Sequence, residues 1–99
     1  MTGRSERTFL VESYVPQLDE RTAATISSRF REAARELEEE GIGIQWRGSF
    51  ALLSEETYFC IIAAPDRGAV MQLNERARLE HDHVVEVIAI DPYATSSSR

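Results

Sequence analysis

Between Thr8 and Val15 the chain is rich in β-branched and aromatic residues, and Pro16 closes the run, which predicts a first strand. Alternation sends Phe9, Val11 and Val15 to one face and Leu10, Glu12 and Tyr14 to the other. The period then changes. Ala23, Ile26, Phe30, Ala33 or Ala34, and Leu37 recur at steps of three and four, from an N-cap at Asp19 to a stop at Gly41, which predicts a long helix with one apolar stripe. Gly43 to Leu53 and Thr57 to Ala64 predict two strands joined through Ser54-Glu55-Glu56 as a hairpin. Val70, Leu73 and Ala77 mark one face of a second helix, capped by Asp66 or by the residue before Pro65. Val84 to Asp91, ended by Pro92, predicts a fourth strand.

The order strand, helix, strand, strand, helix, strand is the βαββαβ plan of an α+β, ferredoxin-like fold. Right-handed crossovers place both helices on one face of a four-stranded antiparallel sheet of order 4-1-3-2. Two helices cover one face only. The other face is expected to carry Leu10, Tyr14, Ile88 and Ile90, and apolar side chains in that number predict a homodimer that closes sheet to sheet about a two-fold axis. In the third strand, Tyr58-Cys60-Ile62 and Phe59-Ile61-Ala63 are equally apolar, so the sequence leaves open which set meets the helices.

Composition narrows the classes of function. Ninety-nine residues, 42% of them hydrophobic and 28% charged, suit one domain over residues 7–93, with polar segments 1–6 and 94–99 as flexible tails. A net charge of −6, from 17 acidic and 11 basic residues, argues against nucleic acid and against an anionic membrane as partners. Glu36, Glu38, Glu39 and Glu40 read as a solvated helix end. The single cysteine, Cys60, has no partner for an intramolecular disulfide, and no apolar run reaches signal-peptide or transmembrane length, so a cytoplasmic location is expected.

Chemistry concentrates at His81-Asp82-His83 and Glu86, two imidazoles and two carboxylates within six residues at a strand's start. His81 and His83 share a face if the strand begins there, and imidazole with carboxylate suits nickel, zinc or copper. Asp82 also fits a plain turn residue. Glu12 and Glu86 both fall among apolar alternates on strands that the plan makes neighbours. If both point to the uncovered face, two carboxylates meet there, and like charges with little solvent raise one pKa or recruit a cation. The competing reading gives each Glu an Arg partner, such as Arg47, or water at an interface rim. Cys60 reads as a core thiol, and no base adjoins it in sequence. A cavity lined by Tyr14, Trp46 and Cys60 would instead suit a small-molecule enzyme of the dimeric α+β barrel type, with an embedded carboxylate as base. No catalytic signature accompanies it, and an interaction module without a ligand is the third reading, left if both of the others fail.

Four strings resemble one family: Phe9-Leu10-Val11-Glu12; the Gly43 to Ser49 stretch with Trp46; Thr57-Tyr58-Phe59-Cys60 with Ala64-Pro65-Asp66; and Val84-Val85-Glu86-Val87 leading to Asp91-Pro92. They are similar to small bacterial ferredoxin-like domains of unknown function that include an actinobacterial nickel-binding homodimer. The resemblance spans roughly residues 8–93. It implies the same fold and homodimer, and it adds nickel or another divalent metal as the cofactor. It departs at Arg78, where relatives tend to have Gly, at Glu80, where they tend to have Pro, and at His83, where they tend to have a basic residue.

Overall fold

A computed structural model describes residues 6–88 and residue 90 of the chain. Its elements are β1 (Arg7–Tyr14), α1 (Glu20–Glu39), β2 (Gln45–Leu52), β3 (Thr57–Ala64), α2 (Arg67–Ala77) and β4 (His83–Val87), with one 3-10 turn at Leu53–Glu55 between β2 and β3. The strands form one antiparallel sheet of order β2-β3-β1-β4, the ferredoxin-like arrangement that the sequence predicts.

Local chemistry sets the helix limits. Asp19, with extended backbone, accepts the Thr22 N–H at 2.7 Å, and Asp66 accepts the Ala69 N–H at 2.9 Å. Each carboxylate satisfies a donor that the first helical turn leaves free. Of the two caps expected for α2, Asp66 is therefore the one used. α1 ends at Glu40 and Gly41, where φ is +95°, open to glycine without strain. α2 ends at Arg78 with φ +60°, a left-handed position that glycine fills more cheaply.

The core lies between the sheet and the helices. α1 contributes Ile26, Phe30, Ala33, Ala34 and Leu37, and α2 contributes Ala69, Val70, Leu73 and Ala77. From the sheet come Phe9, Val11, Tyr58, Cys60, Ile62, Ala64 and Val84, which settles the ambiguity in β3 in favour of Tyr58-Cys60-Ile62. Each large apolar side chain buried in this way contributes about 1.5–3 kcal/mol. Phe30 stacks on Tyr58 with centroids 6.1 Å apart. Across the helix layer, Arg76 of α2 reaches Glu40 at 2.5 Å and Glu36 at 3.6 Å, so part of the acidic end of α1 is tied to α2.

β4 is shorter than expected. It spans His83–Val87, and Ile88 and Ile90 lie beyond it, both more than three-quarters exposed. They lie past the last paired residue of β4 and so are not part of its ladder with β1. Residues 1–5, 89 and 91–99 lie outside the described residues, so of the expected tails 1–6 and 94–99 only Glu6 is described. Glu6, which is described, meets Arg47 at 3.1 Å. Among the described residues, no helix is long and apolar enough to cross a membrane.

Candidate functional site

Side chains directly opposite on paired strands share a face. On the side away from the helices, one row runs Phe50, Phe59, Glu12, His83 and the next runs Gly48, Ile61, Leu10, Val85. Tyr14, Leu52 and Val87 belong to the same face. Phe50 is 64% exposed, Tyr14 58% and Val85 47%, so this is a broad apolar surface with one carboxylate and one imidazole set into it. Leu10 and Tyr14 lie where the sequence places them.

The carboxylate and imidazole meet. Glu12 Oε1 and His83 Nδ1 are 3.6 Å apart, and both side chains are well exposed. Two features fix the register that pairs them. The Asp82 N–H donates to the Glu12 carbonyl at 2.8 Å, and the Asp82 carboxylate accepts the Tyr14 N–H at 2.7 Å. Asp82 is thus the structural pin of the β1–β4 end. His81 lies half-buried in the coil that leads into β4.

Glu86 is elsewhere. It pairs with Phe9, whose side chain faces the helices, so the sheet separates Glu86 from Glu12. Its carboxylate takes both ends of the Arg7 guanidinium, at 2.9 and 3.0 Å, at the rim of the helix side. That hydrogen-bonded pair holds the Glu86 carboxyl below its ordinary value and the Arg7 guanidinium above its own. The expected meeting of Glu12 and Glu86 does not occur, because the true register sets Val84 and Glu86 on the helix side and Val85 and Val87 on the open side. The expected Arg partner exists, but it is Arg7; Arg47 turns to Glu6 and Gln45.

The residues present fit a divalent cation in part. Imidazole nitrogen and carboxylate oxygen are suitable donors for nickel, copper or zinc. One chain brings only two together, and no group of three or more His, Cys, Asp or Glu gathers among the described residues. A four-coordinate site needs two more donors.

Tyr14, Trp46 and Cys60 share no cavity. Tyr14 stands on the open face, where its hydroxyl donates to Glu56 at 2.9 Å, a contact that raises the phenol's pKa. Cys60 is fully buried on the helix side, and burial pushes its thiol up to about 12. Trp46 also lies on the helix side, packed at the core's edge under the Arg31 guanidinium. Just past it, Gly48 at φ +135° marks a bulge that shifts the β2–β3 register.

Trp46 opens a polar chain that the sequence does not announce. Its Nε1–H donates to Ser49 Oγ at 3.0 Å, Ser49 Oγ meets the Tyr58 hydroxyl at 2.5 Å, and that hydroxyl meets Ser27 Oγ at 2.8 Å. Burial is the leading cause that raises the Tyr58 phenol, which stays protonated at neutral pH. Ser27, Ser49 and Tyr58 come from α1, β2 and β3, so their meeting requires the finished fold. The one local signal is a serine at position 27 beside the apolar stripe of α1.

Fold and face define a class: a single ferredoxin-like layer of two helices on a sheet whose other side is apolar and open. Within that class the chain belongs to the family described as nickel responsive protein SCO4226-like, whose family model matches residues 9–87. The crystal structure of SCO4226 from Streptomyces coelicolor A3(2) is similar to this chain at a TM-score of 0.66 and 18% identity, covering 85% of this chain and 99% of that one. At that identity the likeness shows the fold. No curated protein matches the sequence.

Proposed function

We propose that this protein is a cytoplasmic homodimer that binds a divalent cation, nickel foremost, through Glu12 and His83 on the open face of its sheet. One observation carries the reading: the 3.6 Å Glu12–His83 pair is set among Phe50, Phe59, Leu10 and Val85 on an uncovered apolar face. A two-fold axis through that face would bring two such pairs together and supply four donors where one chain has two. It would also bring two Glu12 carboxylates into a drier setting, where like charges favour a bound cation. His81, in the coil before β4, is the next donor in sequence. The family description, nickel responsive, supports nickel as the metal. A free, buried Cys60 is in keeping with a reducing compartment.

Size-exclusion chromatography with light scattering, on chelator-treated protein with and without nickel chloride, tests the reading. Twice the chain mass without metal, and a tighter dimer with nickel at low protein concentration, are expected. A monomer under both conditions would sink it.

A further inference from the structure

A cleft of about 310 Å³ lies between the first half of α1 and the adjoining ends of β2 and β3, on the helix side and so across the sheet from Glu12 and His83. We propose that it is a second binding site, for a small molecule that presents an oxygen acceptor at one end and a cationic group at the other, joined by an apolar body. The inference stands apart from the metal reading and needs no metal.

The acceptor is called for by the floor of the cleft. Ser27, Ser49 and Tyr58 line it, and their hydroxyls form one chain with the Trp46 indole. These groups carry four donor hydrogens, one on the indole and three on hydroxyls, and the chain has three contacts. Each contact uses one hydrogen. One hydroxyl hydrogen is therefore left to point at a further acceptor, beside a tyrosine that is itself almost wholly buried. A donor in such a place is satisfied by water or by a ligand oxygen.

The apolar body follows from the walls, to which Ala23, Ala51 and Leu53 contribute small or aliphatic surface. The cation follows from the mouth. Among the described residues, Glu20 is the one charged residue that lines the cleft. It lies seven residues before Ser27, on the same face of α1 and about 10 Å along the helix axis. A compact molecule spans that distance, and the volume sits at the lower end of the range for small-ligand pockets.

Tyramine has this form: a phenol oxygen, an aromatic body and an ammonium group. The test is a titration of chelator-treated, full-length, nitrogen-15-labelled protein followed by amide chemical shifts, with phenethylamine lacking the oxygen and p-cresol lacking the amine as comparators. Saturable shifts at Ala23, Ser27, Ser49 and Ala51 are expected with tyramine. Affinity should fall roughly three- to tenfold for each comparator, and by a similar factor for tyramine with Ser27→Ala or Glu20→Gln. Glu20 is exposed, so its variant keeps the fold and carries the test if Ser27→Ala does not. No saturable shift at these residues, equal affinity for the three molecules, or a folded variant that binds as wild type would overturn the proposal. Because the titration is free of metal, its failure leaves the nickel reading standing.

Discussion

Glu12 and Glu86 stand on opposite faces of one sheet: Glu12 is paired across β1 and β4 with His83, and Glu86 with Phe9. The pairing turns one carboxylate toward the His83 imidazole and the other toward Arg7. It separates a candidate ligand on β1 from a structural ion pair that Glu86 of β4 makes on the other face.

If the open face is the dimer interface, a charge placed in its middle breaks the dimer and leaves the fold intact. Val85→Glu should run at the mass of one chain in light scattering, with unchanged circular dichroism, because Val85 packs on no helix. A Val85→Glu dimer would place the interface elsewhere.

Cys60 should be inert in the native protein. Burial holds its thiol at about 12, whereas an unfolded chain loses that proton near pH 8.5, roughly the ordinary cysteine value. Above that value the unfolded state binds fewer protons than the folded one, so stability falls as pH rises toward 12. Thiol titration with Ellman's reagent at pH 8 should show no fast-reacting group until denaturant is added; immediate reaction would show that the β3 core opens readily.

Acid should weaken the fold for a separate reason. Arg7 lowers Glu86, Arg35 lowers Glu32, Arg76 lowers Glu40, and the Thr22 N–H lowers Asp19. Carboxylates lowered in the folded state stabilise it above their unfolded values, about pH 4, and that contribution is lost as pH falls through the folded values. Melting temperature should therefore drop below about pH 4, and less steeply in Arg7→Met, which removes one of these partners.

Ser13 is buried in β1, and its hydroxyl has no partner among the described residues. An unpaired buried hydroxyl is unfavourable, so Ser13→Ala should raise stability by about 1 kcal/mol in urea unfolding. A loss of stability would mean that the hydroxyl is satisfied by buried water. Phe30→Ala, which empties the space against Tyr58, should cost about 3–5 kcal/mol in the same assay.

The architecture was legible because its signals are local. Asp19 and Asp66 cap their helices, Gly41 stops α1, and the change of period between strand and helix gives the element order and hence the sheet order. Strand faces were legible only where alternation is clean. β1 reads correctly because Glu12 sits between Val11 and Ser13, which are both buried. β4 reads Val84-Val85-Glu86-Val87-Ile88, apolar on both parities, and its face is set by the contacts of Asp82 with Glu12 and Tyr14 on another strand. No periodicity encodes that register. The hydroxyl chain of Ser27, Ser49 and Tyr58 is illegible for the same reason, since its members are neighbours only in three dimensions.

Glu12 and His83 are proposed to hold a nickel ion between two copies of the chain. Calorimetric titration of chelator-treated protein with nickel chloride tests it most directly, with wild type beside Glu12→Gln and His83→Ala. Micromolar binding at one ion per two chains is expected, weakened roughly tenfold or more in each variant, while Glu86→Gln binds as wild type. No heat at micromolar concentrations, or variants at Glu12 and His83 that bind nickel as the wild type does, would contradict it.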